Sequence, residues 1–169
     1  RTLAATGGGV RGQPAGGDQT SGGEQDGRAQ DTVTMIRKCT DADTPVLCEI
    51  INDAAQAYKG IIPADRWHEP YMALDALRDE INAGVEFWGD ESDGELLGAM
   101  GIQHRGEVDL IRHAYVRTRA RRQGVGTRLL AHLMQMTREP LLIGTWADAR
   151  WAVDFYRKNG FRLLTREET

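Results

Sequence analysis

Arg121-Arg122-Gln123-Gly124-Val125-Gly126-Thr127 joins an apolar run, Leu110 to Val116, to a run with helical spacing, Thr127 to Arg138. Glycine permits a tight turn and lets an oxygen approach the backbone N–H groups closely. The first N–H groups of a helix have no partner within it, and they lie at the positive end of its dipole. This junction therefore predicts an anion site, for which phosphate is the usual occupant.

Two common nucleotide motifs do not fit this junction. A P-loop ends in Gly-Lys followed by Ser or Thr, whereas Gly126 is followed by Thr127 and Arg128. A dinucleotide-binding motif needs a third glycine where this chain has Leu129. The phosphate must therefore belong to another kind of ligand.

A second motif lies downstream, Ala152-x-x-Phe155-Tyr156-x-x-x-Gly160-Phe161. Together with Arg121-x-x-Gly124-x-Gly126, it resembles the signatures of the GCN5-related N-acetyltransferases, the GNAT family. The resemblance covers nearly all of the region from Thr34 to Leu164. It implies an α/β fold with a central mixed, mostly antiparallel sheet flanked by helices, in the order β-α-α-β-β-β-α-β-α-β, which the apolar periodicities of the chain also predict.

The resemblance implies acetyl-CoA as the cosubstrate and no metal. The pyrophosphate would accept N–H groups from the glycine loop, and Arg119, Arg121 and Arg128 would meet its phosphates. The strand ending at Val116 would splay from the strand at Leu141, which opens a slot for pantetheine. The expected cosubstrate-binding residues are Ala114, Tyr115, Val116, Arg121, Arg122, Gln123, Gly124, Val125, Gly126 and Thr127.

The same resemblance implies the catalytic groups. The N–H of Ala114 would polarise the thioester carbonyl, and Tyr156 would protonate the leaving thiolate, although a core role for Tyr156 is the alternative. Glu107, Asp109 and His113 are the candidates for the general base, and Asp109 is preferred. Each of the three is otherwise a solvated strand residue.

The segment from Tyr58 to Tyr71 is dense in aromatic and charged residues for a connector, which indicates an acceptor site. Tyr58, Trp67 and His68 are the expected substrate-binding residues. The alternative is that Trp67 only anchors the loop on the sheet. His68 and Glu69 have no partner at metal-ligand spacing.

The composition of the chain limits its possible domain organisation, partners and location. Residues 1–31 hold nine of the 20 glycines and few large aliphatic residues, so we expect a disordered arm followed by one acetyltransferase domain over residues 32–169. A net charge of −4 disfavours nucleic acid as a partner. No run is long and apolar enough for a membrane span, and two cysteines with no export signal favour the cytoplasm.

Two positions depart from the family pattern. Ala149 stands where many members have an asparagine that holds pantetheine. Only one strand follows the last predicted helix, whereas the family usually has two. We therefore expect the final strand to be missing, either because the chain is truncated or because a partner supplies the strand.

The expected function is transfer of an acetyl group from acetyl-CoA to a small-molecule amine, by direct attack in a ternary complex. A non-catalytic acyl-CoA-binding regulatory domain and a protein N-acetyltransferase are the alternatives. The expected partner is the small-molecule amine, and a homodimer stays open.

Overall fold

The computed structural model describes residues 2–5 and 33–168. They form a seven-stranded sheet in the order β2-β3-β4-β5-β6-β1-β7, flanked by four α-helices. The strands are β1 Thr2–Ala5, β2 Thr34–Lys38, β3 Glu86–Ser92, β4 Glu95–Arg105, β5 Val108–Val116, β6 Leu141–Gly144 and β7 Arg162–Leu163. The helices are α1 Thr44–Ala55, α2 Leu74–Asn82, α3 Val125–Met136 and α4 Arg150–Lys158.

The sheet divides the apolar interior into two clusters. Successive strand residues point to opposite faces, so in β4 Ala99 faces one cluster and Met100 faces the other. The cluster around Met100 includes buried residues of α3 and α4, such as Leu129 and Tyr156. The cluster around Ala99 includes buried residues of α1 and α2, such as Leu47. The predicted α/β class and its mostly antiparallel sheet are confirmed.

The N-terminal arm contains the main correction to the fold. Residues 2–5 were expected to be disordered, but they form β1, antiparallel to both β6 and β7. The Leu3 side chain is completely buried in the cluster around Met100. The strand beside β7 is thus supplied by the chain itself, from its N-terminal segment. Arg1 and residues 6–31, for which disorder was also expected, lie outside the described residues.

Strand β3 carries a buried acidic residue. The strand runs to Ser92, and Asp90 is completely buried within it. A buried carboxylate needs a partner, and Arg128 of α3 donates to Asp90 Oδ2 from Nε at 2.9 Å and approaches it with Nη2 at 2.8 Å. This pair ties α3 to the sheet.

Within the described ranges, every helix falls short of the length and apolar character that a membrane crossing requires.

Candidate active site

The site begins where β5 and β6 separate. These two strands are the parallel pair of the sheet, and their pairing covers only Asp109 to Ile111 against Leu141 to Ile143. From Arg112 to Val116, β5 remains paired with β4 on its other side. A slot therefore opens between the strands, and the backbone of β5 from Arg112 onward lines it. The splay implied by the resemblance is present.

A bulge in β5 shapes this slot. The pairing with β4 shifts register between Ala99 and Gly101, opposite His113 and Ala114, and His113 has φ +56°. A Cβ on Gly101 would come within 2.5 Å of the carbonyl oxygen of Arg112, so glycine is what allows the close approach there. The bulge turns the backbone at Ala114 out of the regular ladder, as bulges beside active sites commonly do.

One cavity, which we name the α3 cavity, runs from the slot to the start of α3. It is lined by the β5 residues Ala114, Tyr115 and Val116, by the loop and helix residues Arg121, Arg122, Gly124, Val125, Gly126 and Thr127, and by Trp151, Phe155 and Tyr156 of α4. Gly124 is the N-cap of α3 with φ +78° and makes no side-chain cap, which leaves the first N–H groups of the helix to face a ligand. An anion fits this end of the cavity.

The arginines near this cavity have different tasks. Arg121 and Arg122 line it, and neither forms an ion pair with another described residue. Arg119 instead pairs with Glu95, and Arg128 pairs with Asp90, and neither of these two arginines lines the cavity. Gln123 does not line the cavity; its side chain donates weakly to the Arg119 carbonyl and its own carbonyl accepts from Arg128.

A second cavity, the β6 cavity, lies at the end of β6 and has a volume of about 500 Å³. Its lining comes from β1, β5, β6 and α4, from the loop after β6, and from the segment after α1. Four residues line both cavities: Tyr58, Ala114, Tyr115 and Tyr156. The two cavities therefore meet at the bulge, next to the backbone of Ala114.

Tyr156 lies at this meeting point and also belongs to the core. Its ring packs edge-on against Phe155 and Phe161, with centroids 5.1 and 5.3 Å away. Burial raises the pKa of the phenol, so it stays protonated at neutral pH. The ring of Tyr156 is therefore packed in the core, while the residue also lines both cavities.

The structure places two candidates for the general base, His113 and Asp109, near different ends of β5. His113 lines the β6 cavity, and its Nε2 contacts Glu80 Oε2 of α2. The neighbouring imidazole of His113 is the main cause that holds the pKa of Glu80 below its ordinary value. Asp109 lies near the other end of β5, where its buried carboxylate is bonded by His104 at 2.8 Å and by the Thr137 hydroxyl. The structure therefore does not bring Asp109 to the two cavities.

The acceptor residues expected in the segment from Tyr58 to Tyr71 also differ in position, because one lines the cavities and two do not. Tyr58 lines both cavities, and its ring lies 5.3 Å from that of Trp151. Trp67 and His68 do not line either cavity, but both stack on Tyr71, with centroids 5.7 and 6.3 Å away. Tyr71 does line the β6 cavity, so Trp67 and His68 support the wall from behind.

Sequence reasoning missed several residues of the site, among them Thr2, Glu80, Arg112 and Trp146. Glu80 and Arg112 are charged residues in a helix and a strand, and such residues most often lie on the solvent-exposed surface. Thr2 was assigned to the disordered arm. Alternation with a bulge along β5 would have pointed to Arg112, because the bulge places consecutive residues at one cavity.

A family model described as an acetyltransferase (GNAT) domain matches residues 51–169. The chain belongs to the GNAT family. The identity inferred from the two motifs is thereby confirmed.

Known proteins similar to this GNAT domain differ in their acceptors. The peptidyl-lysine N-acetyltransferase YiaC of Escherichia coli is 27% identical over 131 residues, which cover 77% of this chain and 84% of that protein. The ribosomal-protein-alanine N-acetyltransferase of Brucella melitensis has a TM-score of 0.60 at 26% identity, covering 78% of this chain and 86% of that one. The PaiA N-acetyltransferase of Thermoplasma acidophilum, in complex with coenzyme A, has a TM-score of 0.65 at 21% identity, with 80% and 94% covered.

Across residues 2–5 and 33–168, no group of three His, Cys, Asp or Glu side chains is arranged to hold a metal ion.

Proposed function

We propose that this GNAT domain transfers the acetyl group of acetyl-CoA to the amine of a small molecule, by direct attack in a ternary complex. The observation that carries the proposal is the meeting of two cavities at Ala114 and Tyr156. One cavity ends at a helix N-terminus suited to phosphate, and the other has the volume of a small-molecule site. A thioester at their junction would be reachable from both sides.

The donor would be held mainly by backbone groups. The unpartnered N–H groups at the start of α3 would donate to the pyrophosphate oxygens, while Arg121 and Arg122 supply charge. The open edge of β5 from Arg112 to Val116 would pair with the pantetheine amides as an added strand does. The replacement of asparagine by Ala149 removes a side-chain contact but leaves this backbone edge intact.

The chemistry requires two proton transfers and one polarised carbonyl. His113, supported by Glu80, would accept the proton of the attacking amine. The N–H of Ala114 would stabilise the negative charge on the thioester oxygen. A C–N bond forms and the C–S bond breaks, and the protonated Tyr156 phenol donates to the departing sulfur.

Direct transfer fits the position of the two cysteines. Cys39 and Cys48 line neither cavity, and burial raises the pKa of both thiols, that of Cys39 to about 11. The reactive form of a thiol is the thiolate, which is scarce at neutral pH for such groups. An acyl-cysteine intermediate is therefore not part of the proposal.

The test is thiol release from acetyl-CoA across a panel of amines, with Tyr156→Phe as the variant. This change removes only the phenol oxygen, so coenzyme A binding and thermal stability should persist while kcat falls roughly 10- to 100-fold. Unchanged turnover with intact binding would remove Tyr156 from the mechanism. Binding of coenzyme A with no release for any amine would favour the non-catalytic acyl-CoA-binding domain instead.

Acetylation of a protein lysine is the second candidate, favoured by the similarity to the peptidyl-lysine N-acetyltransferase of Escherichia coli. A lysine side chain would have to enter the β6 cavity past Tyr58 and Tyr71. Comparing kcat/KM for free amino acids with that for lysine-containing peptides decides between the two. A preference of tenfold or more for peptides would replace the small-molecule proposal.

A further inference from the structure

The β6 cavity has an unusual balance of charge for a site that would bind an amine. Among the described residues, its lining includes one permanent cation, Arg112, and one titratable base, His113, and no carboxylate. The remaining polar groups are hydroxyls, ring groups and backbone. A site for a polyamine or another polycation would be expected to offer several carboxylates, because each ammonium group that loses water needs a charged partner.

Three carboxylates that contact β5 or the turn after it are already paired with other groups. Glu80 contacts His113 through one oxygen, and its other oxygen lies 3.9 Å from Arg112 Nη2. Glu49 is paired with Arg117, and Asp53 accepts the backbone N–H of Thr118. None of these three lines the cavity.

Arg112 differs from these carboxylates, because the N–H donors of its guanidinium have no hydrogen-bond partner among the described residues. The 3.9 Å contact with Glu80 is too long for a hydrogen bond, and the Arg112 side chain makes no other polar contact within the described part of the chain. Its side chain is 39% exposed at a cavity wall. Guanidinium offers five donors in a planar fork that matches a carboxylate with two parallel hydrogen bonds.

The rest of the wall is aromatic. The rings of Tyr58 and Tyr71 each pack edge to face with that of Tyr115, with centroids 6.4 Å apart, and Trp146, two residues after β6, also lines the cavity. Such a wall favours an apolar or aromatic body. It offers few partners to a heavily hydroxylated or multiply charged molecule.

Resting on the proposed acetyl transfer, we propose that the acceptor is an amino carboxylic acid with an apolar or aromatic side chain, whose carboxylate is bound by Arg112. The amine would then face His113 and Ala114, which follow Arg112 directly in β5. Arg112 is in this account a specificity-determining residue, and polyamines and aminoglycosides are poor acceptors.

The experiment uses acceptors that differ only in the charged group. Thiol release is measured for phenylalanine against phenylalaninamide and for leucine against leucinamide, with spermidine and kanamycin as polycations. Each kcat/KM is corrected for the fraction of neutral amine at the assay pH. The carboxylates should exceed their amides by roughly tenfold or more, as expected for a charge-assisted pair, with most of the difference in KM.

Three variants isolate the contribution of Arg112. Arg112→Gln should lower kcat/KM for phenylalanine roughly tenfold or more while leaving phenylalaninamide within about twofold, because the amide never used the charge. Arg112→Lys should recover part of the loss, since it keeps the charge without the fork. Arg105→Gln, an exposed arginine at the far end of β4, is the matched control and should match the wild type.

The outcomes separate this inference from the function on which it rests. Equal rates for the carboxylates and their amides, or no selective loss in Arg112→Gln, would overturn the role of Arg112 and leave acetyl transfer standing. A preference for spermidine or kanamycin would overturn the acceptor class in the same way. Absence of thiol release from every amine, with coenzyme A bound, would overturn acetyl transfer and this inference together.

Discussion

At the scale of single residues, the bulge in β5 determines which candidate for the general base lies at the cavities. His113 and Asp109 both lie on β5, four residues apart, and the sequence favoured Asp109 over His113. The bulge at His113 brings that side chain to the β6 cavity, whereas Asp109 is bonded to His104 and Thr137. These hydrogen bonds, away from both cavities, favour a structural role for the Asp109 carboxylate.

Exchanging each candidate in turn tests this assignment. His113→Gln should lower kcat/KM about 100-fold or more at neutral pH, with coenzyme A binding retained, because the amine loses its proton acceptor. Asp109→Asn should instead lower the free energy of unfolding by about 1–3 kcal/mol, since a buried hydrogen-bonded group is disturbed, and leave kcat unchanged. Steady-state kinetics and urea unfolding measure the two effects. A normal rate for His113→Gln beside a severe loss in folded Asp109→Asn would reverse the assignment.

Site residues that belong to a local sequence motif were predictable, whereas those brought to the site by a bulge or by long-range packing were not. Gly124, Gly126, Arg121 and Tyr156 belong to motifs whose spacing in the chain is also their spacing on one loop or one helix. Arg112 and Glu80 meet only because β5 bulges and α2 packs beside it. This contact joins residues 32 positions apart, so no local sequence pattern indicates it.

At the scale of elements, β1 is the part that the sequence could not disclose. Residues 2–5 stand before a glycine-rich arm, and a four-residue strand gains its stability from its neighbours rather than from propensity. Its alternation is nevertheless clear, with Leu3 and Ala5 buried between β6 and β7. The order of the other ten elements, each with its own apolar period, was predicted correctly.

The role of β1 can be measured by truncating its central side chain. Leu3→Ala should lower the free energy of unfolding by about 2–5 kcal/mol, the range for a fully buried leucine. It should also raise the KM for the acceptor, because Thr2 of the same strand lines the β6 cavity. Ala4→Ser, on the other face of β1, is the matched control. Identical unfolding curves for wild type and Leu3→Ala would mean that β1 does not occupy the sheet in solution.

The turn that leads into α1 provides a prediction for pH. Arg37 of β2 donates to Asp43 from both terminal nitrogens, at 2.8 and 2.9 Å, and this pair lowers the pKa of Asp43 from 3.8 to about 2. A depressed pKa contributes stability that is present above the unfolded value and is lost as pH falls through the folded value. The contribution should therefore decline between about pH 4 and pH 2.

Asp43→Asn measures this contribution. The variant should be less stable than the wild type by about 1 kcal/mol at neutral pH, and the difference should shrink toward pH 2. Asp41→Asn, an exposed neighbour in the same turn, should track the wild type at every pH. Urea unfolding at several pH values gives both differences. A gap between Asp43→Asn and wild type that does not change with pH would contradict the ion pair.

At the scale of the whole molecule, the distribution of charge singles out the α3 cavity. The chain is acidic overall, and several arginines near the sheet are neutralised by carboxylates, among them Arg117, Arg119 and Arg128. Arg121 and Arg122 keep their charge for a ligand beside the N-terminus of α3. An anion such as a pyrophosphate would find two arginines that pair with no described carboxylate beside the N-terminus of a helix there, on a protein that is acidic overall.

The most direct measurement of this account is calorimetric titration with coenzyme A of Gly126→Asp against wild type. Gly126 has no positive φ, and a carboxylate at a helix N-terminus stabilises the helix, so the variant should keep its fold while repelling phosphate. Gln135→Glu, which adds the same charge near the other end of α3, is the control. We expect affinity to fall roughly tenfold or more in Gly126→Asp and to hold in the control. Equal affinities in all three folded proteins, or no binding to the wild type, would contradict the account.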